Sequence, residues 1–199
     1  WEAFRQGGFG AVSPEARQEI DRLRNSGINW GDEIYQNAVN QQYNLSFSGG
    51  SDLATYYFSA GYYKEKGTTI GTGFERLNMT LKTDFNLLKN LKLGTSVFLT
   101  HTKQDSYLTD ADALINPARY TRNVNPYLEA YDANGEYIYD PDIIENSNKN
   151  LNFNILEERE NTSQILKKLS IKPIISLDYR PWDWLKLSTQ FAMQVENSD

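Results

Sequence analysis

The sequence predicts an all-β fold, an antiparallel up-and-down transmembrane β-barrel segment of about six strands with long extracellular loops and a short N-terminal helix. Three observations carry that prediction. Large apolar and small polar residues alternate with period two, the signature of strands with unlike faces. The runs are long against the about 5–6 residues usual in soluble proteins, and tight connections alternate with long ones. Aromatic residues gather beside the tight turns, where a membrane interface favours amphipathic rings.

Residues 1–40 are the least strand-like. Ser13-Pro14-Glu15 reads as a helix start, with Ser as cap and Pro in the first turn. Ala16, Ile20 and Leu23 follow as an apolar stripe, Arg22 and Arg24 suit the C-terminal dipole, and Gly27 can close the helix. From Gln41 to Tyr63 the chain reads QQYNLSFSGGSDLATYYFSAGYY, two alternating runs around Gly49-Gly50-Ser51-Asp52, hence a hairpin. Tyr43, Leu45 and Phe47 share one face, and Asn44, Ser46 and Ser48 the other.

A third strand is expected from about Glu75 to Leu87, with Leu77, Met79, Leu81 and Phe85 opposite Asn78, Thr80, Lys82 and Asp84. A fourth runs from Leu91 to Lys103, a fifth from Gln164 to Tyr179 and a sixth from Leu185 to Glu196. The blocks are therefore 1–40 (loop segment with helix), 41–103 (strands one to four), 104–162 (long extracellular loop) and 163–199 (strands five and six). Tight turns fall at Gly49–Asp52, Leu88–Asn90 and Pro181–Trp184; Lys64–Phe74 and Gln104–Asn161 are the longer connections. Inside the long loop, Asn134-Gly135 in YDANGEY marks a local hairpin.

LKTDFNLLKNLKLGTSVF and IISLDYRPWDWLKLSTQF form a weak repeat at a constant offset, Asp84 matching Asp178 and Leu91 matching Leu185. Each copy is a strand ending in Asp-aromatic, a short turn, then Leu-Lys-Leu. Phe85, Tyr179, Trp182 and Trp184 flank those turns and are the expected membrane-interface aromatics. Lipid would then cover the apolar face, and the small polar face would line a lumen. A soluble secreted β-sandwich that binds glycans is the alternative, since its inner faces also alternate; a surface adhesive barrel is a third reading.

Composition narrows the chemistry. The 199 residues carry a net charge of −6, and no basic stripe exists to displace counterions, so no nucleic-acid partner is expected. There is no cysteine, hence no disulfide, thiolate metal site or cysteine nucleophile. No signal peptide is visible, and no apolar run approaches the ~20 residues of a membrane helix, which leaves membrane strands untouched. An N-terminal Trp and a stop just after a strand-like run read as a cut segment. The single histidine, His101, excludes a multi-histidine site and reads as a solvated strand residue. Gly8-Phe9-Gly10 and Gly71-Thr72-Gly73 lack the third glycine of a nucleotide loop. Asp110, Asp112, Asp140 and Asp142 lack EF-hand spacing. Glu157-Glu158 defines no glycosidase pair, and the Asn44-Leu45-Ser46 and Asn78-Met79-Thr80 sequons read as polar strand residues. No catalytic residue, metal site or cofactor is expected. The loop tyrosines Tyr107, Tyr120, Tyr127, Tyr131, Tyr137 and Tyr139 are more informative. With Arg119, Arg122 and Asn125 nearby they can stack on sugars or grip peptides; alternatively they pack the loop on itself or on a lid protein. The contact candidates taken from this set are Tyr107, Tyr120, Arg122, Asn125, Tyr127 and Tyr131.

Several of these stretches resemble the SusC/RagA-like family of TonB-dependent outer-membrane transporters. Trp30, Asp32, Glu33 and Ile34 match its Trp-x-Asp-Glu-Ile stretch, and Tyr43 to Gly50 its Tyr-Asn-Leu-Ser-x-Ser-Gly-Gly strand and turn. Tyr56, Ser59, Gly61 and Tyr62 match the next strand, Phe74-Glu75-Arg76 and Leu91–Gly94 the two after it. INPARYTRNVNPY and YDANGEY sit where the family has a long surface loop. The resemblance spans about residues 29–196. It implies a place in a roughly 22-strand plugged barrel. It also implies a bacterial outer-membrane importer of oligosaccharides or oligopeptides under a SusD-like surface lipoprotein, driven by TonB through a segment outside this chain.

Overall fold

The computed structural model describes residues 2–25, 27–107, 116–139 and 153–199. The loop aspartates Asp110, Asp112, Asp140 and Asp142 lie outside the described residues. Two compact units divide the chain, one from residues 1–36 and 107–162, the other from 37–106 and 163–199.

The second unit is one antiparallel sheet in sequence order. Its strands are β1 (Val39–Gly50), β2 (Ala54–Lys66), β3 (Gly73–Leu88), β4 (Leu91–Ser106), β5 (Gln164–Trp182) and β6 (Leu185–Ala192), with β7 (Val195–Ser198) also paired to β5. No second sheet packs against it among the described residues, so the sandwich alternative has no structural counterpart. The sheet is not closed. Its alternation is locally encoded, and the register then aligns like faces across all strands. Phe47, Phe58, Leu81, Val97 and Pro173 form one continuous row.

The tight turns share one end of the sheet, because Ala54 pairs Phe85 and Leu91 pairs Tyr179. Asn86 binds the first turn to β3, its N–H donating to Leu53 O at 2.8 Å and its side-chain amide to Asp52 O at 2.6 Å. Gly50 needs its freedom there: φ is +155°, and a β-carbon would stand 2.6 Å from Thr55 Cα. Two expectations change. The connection read as 64–74 shrinks to residues 67–72, because β2 and β3 extend each other's ladder to the Lys66–Gly73 pair. The run read as a single sixth strand breaks at Met193–Gln194. The break faces Pro173, which has no N–H to give and only accepts, its carbonyl taking Met193 N–H at 3.1 Å.

The first unit is helical and irregular: α1 (Glu2–Gly7), a 3-10 turn at Gly8–Ala11, α2 (Pro14–Asn25), α3 (Trp30–Ile34), α4 (Pro117–Asn123) and α5 (Ile155–Asn161). The α2 start is the one its sequence announces, with Ala16 N–H donating to Ser13 Oγ at 3.2 Å. Ala16, Ile20 and Leu23 form its half-buried stripe. The core lies elsewhere, among Trp30, Ile34, Tyr120, Ala130, Phe153, Ile155 and Leu156.

Candidate functional site

The sheet offers two chemically opposite faces. On the apolar face, six register rows run from Leu91 up to His101 on β4. No Asp, Glu, Lys or Arg occupies an in-register position within them. Large side chains there stay open: Leu45 is 66% exposed, Phe47 54%, Ile175 50% and Phe191 67%. In water such a continuous patch far exceeds what soluble monomers tolerate. Ten residue steps at ~3.3 Å, tilted by ~40°, make a band about 25 Å tall, the height of an outer-membrane apolar belt. Two hydroxyls within the band satisfy each other, Thr83 Oγ1 and Thr95 Oγ1 lying 2.5 Å apart.

At the tight-turn end, Phe85, Tyr179, Trp182 and Trp184 are all exposed, and the two indoles stack at 5.5 Å with planes 6° apart. At the other edge Tyr43 pairs Tyr62 on the same face.

The opposite face is lightly built because glycines receive their neighbours' polar side chains. A β-carbon on Gly61 would stand 2.7 Å from Asn44 Oδ1, and one on Gly94 2.5 Å from Ser176 Oγ. Asn44, Gly61, Asn78, Thr100, Ser170 and Glu196 make one row across it. Near the tight turns, Thr55, Asp84, Asn86, Lys92, Gly94, Ser176 and Asp178 line a depression of about 340 Å³. Lys186 bridges to Asp178 at 3.1 Å.

In the first unit, Trp30 and Tyr120 pack edge-to-face at 5.3 Å, and Tyr120 meets Phe153 at 5.6 Å. Tyr120 is 3% exposed and is therefore withdrawn from the contact candidates: its ring belongs to the core. The Trp30 indole N–H has no hydrogen-bond partner among the described residues. Asn29 caps α3 through Gly31 N–H at 3.1 Å, and the Arg159 guanidinium donates to Glu33 O at 2.8 Å, satisfying the helix end. Sequence reasoning missed Asn154, which is 1% exposed. Its Oδ1 accepts Leu156 N–H at 2.9 Å, and its amide donates to Ala130 O at 3.0 Å and Ile138 O at 2.8 Å. The only signal for it is an Asn before the apolar pair Ile155-Leu156, an N-cap pattern.

The YDANGEY hairpin forms where its turn residues place it. Asp132 Oδ1 accepts the N–H of Asn134 at 2.8 Å and of Glu136 at 2.9 Å; these bonds hold its carboxyl below the usual range. Gly135 takes φ +86°, and the Tyr131 and Tyr137 rings pair at 5.2 Å. The Tyr137 hydroxyl donates to Glu160 Oε2 at 2.8 Å, which pushes its pKa up to about 12. Burial pushes the Tyr107 hydroxyl up, against a smaller opposing effect of Arg159. Arg122 turns back on its own helix, Nε donating to Ala118 O at 3.1 Å. Asn125 Oδ1 accepts Tyr127 N–H at 3.0 Å. Tyr127 and Tyr131 remain exposed, at 49% and 40%. Among the described residues no cluster of metal-ligating side chains occurs, and no helix is long and apolar enough to cross a membrane.

A single up-and-down sheet whose one face carries a charge-free apolar band and whose other face is polar defines a segment of a transmembrane β-barrel. No protein-family model matches the chain. It is 30% identical over 152 residues to TonB-dependent receptor P39 of Formosa agariphila, covering 75% of this chain and 14% of that protein. To TonB-dependent receptor P3 of the same organism it is 32% identical over 116 residues, 54% of this chain and 11% of the relative. Solved structures of the RagAB peptide transporter superpose with TM-scores of 0.63 and, in the closed-closed state, 0.65. Their identities are 17% and 18%, and each match covers 87% of this chain and 19% of the solved one. These matches support a fragment of a SusC/RagA-like TonB-dependent transporter, a stretch of its barrel. The chain spans about one seventh of the first relative's length.

Proposed function

We propose that the parent protein is a TonB-dependent importer of the bacterial outer membrane, not an enzyme, and that this chain supplies part of its barrel wall. The charge-free apolar band, about one hydrocarbon thickness tall, carries the reading. Residues 41–103 and 163–199 are barrel, and residues 1–40 and 104–162 are extracellular. The tight turns face the periplasm. Phe85, Tyr179, Trp182 and Trp184 form the periplasmic-side aromatic girdle. A SusD-like surface lipoprotein covers the outer mouth, and TonB engages a segment outside this chain. The exposed rings of Tyr127 and Tyr131, together with Tyr107, meet substrate or lid. Arg122 and Asn125 are engaged with backbone and support that surface.

The similarity to a peptide transporter favours oligopeptides as cargo. Uptake of fluorescent oligopeptides and oligosaccharides into cells carrying or lacking the parent gene, with and without TonB, tests this. Peptide uptake lost in both deletions is the expected result. Loss of oligosaccharide uptake alone would replace the cargo, and uptake indifferent to TonB would overturn the mechanism.

A further inference from the structure

Just beyond the charge-free band, on the same face and at the end opposite the tight turns, the register places four lysines in two adjacent rows. Lys64, Lys103 and Lys167 share the row that also holds Glu75 and ends at Asp199; Lys66 stands in the next row, with Asp105. Two of the four are neutralised locally, Lys64 by Glu75 at 2.9 Å and Lys103 by Asp105 at 3.2 Å. Lys66 and Lys167 make no ion pair among the described residues. Lys103 and Lys167 are direct cross-strand partners, an arrangement that is unfavourable for like charges unless an anion lies over both. Tyr43, Tyr62 and His101 form the row immediately below.

A cationic edge above an aromatic row, at the top of a lipid-facing band, is at headgroup height. Lysine stems can lie on the apolar surface while their ammonium groups reach phosphate oxygens. We infer that Lys64, Lys66, Lys103 and Lys167 form a docking edge for a phosphate-bearing glycolipid of the outer leaflet. The inference rests on the membrane placement proposed above.

The test uses the full-length parent protein in zwitterionic micelles doped with phosphorylated lipid A, the same lipid dephosphorylated, or an equal concentration of inorganic phosphate. The melting midpoint is the readout. The phosphorylated lipid alone raises it, the rise is lost in K64Q/K66Q/K103Q/K167Q, and the matching four-arginine variant keeps it. High salt, which screens charge beyond a few ångström, abolishes the rise in the unmodified protein and so decides the matter even if the glutamine variant fails to fold. An equal rise with dephosphorylated lipid or free phosphate, an unaltered glutamine variant, or indifference to salt would each overturn the inference. Cell fractionation separates the two failures. A parent protein outside the outer membrane removes both readings, whereas one in that membrane without a lipid response removes only this one.

Discussion

Thr83 and Thr95 face each other across β3 and β4 with hydroxyl oxygens 2.5 Å apart, between the apolar rows of Leu81–Val97 and Phe85–Leu93. Neither hydroxyl can turn to water at mid-band, so each satisfies the other. Thr83→Val alone leaves Thr95 unpaired and is expected to cost about 1–3 kcal/mol, whereas the double Val variant is close to neutral. A double-mutant cycle on the refolding equilibrium of the parent protein reads this directly. Additive losses would mean that the hydroxyls act independently.

The face assignment predicts a contrast between adjacent residues. Leu81 lies in the apolar row with Val97, and Thr80 points to the polar face with Ser59. Leu81→Lys is expected to cost about 2–4 kcal/mol near mid-bilayer, and Thr80→Lys far less. Equal destabilisation in a urea titration from lipid vesicles would refute the orientation.

Asn154 joins three otherwise separate pieces: the start of α5, Ala130 at the hairpin entry and the hairpin exit at Ile138. Asn154→Ala removes the cap and leaves two carbonyls with one donor fewer in a buried site. A loss of about 2–4 kcal/mol is expected. Limited proteolysis should then cleave within residues 124–139 while the strands stay protected. Unchanged protection of that stretch would show that the contact is dispensable.

Tyr137 carries the pH prediction. Its folded pKa is about 12, above the ~10 of an unfolded tyrosine, because neutral Tyr137 donates to the Glu160 carboxylate. The folded state therefore holds the proton more tightly, and the contribution is present below about pH 10 and lost as pH rises towards about 12. Tyrosinate absorbance should show one group titrating late. That step should vanish in Tyr137→Phe and move down in Glu160→Gln; its persistence in both would reassign it.

What the sequence alone determined is what local chemistry dictates. Period-two alternation placed Leu81 and Thr80 on opposite faces before any pairing was known. Asn134-Gly135 and Ser13-Pro14 marked a turn and a helix start from dihedral and capping preferences confined to a few residues. The tight-turn aromatics and the Asn-Leu-Ser-x-Ser-Gly-Gly stretch pointed to membrane strands and to a family for the same reason. The tertiary structure decided what depends on partners distant in the chain. Only the register shows that Thr83 meets Thr95, that Gly61 makes room for Asn44, and that the sixth strand breaks opposite a proline some twenty residues earlier. Only packing removes Tyr120 from the exposed tyrosines, because Trp30 and Phe153, from segments far apart, close over its ring. Backbone periodicity records which way a side chain points, whereas burial and pairing record what the rest of the chain brings to meet it.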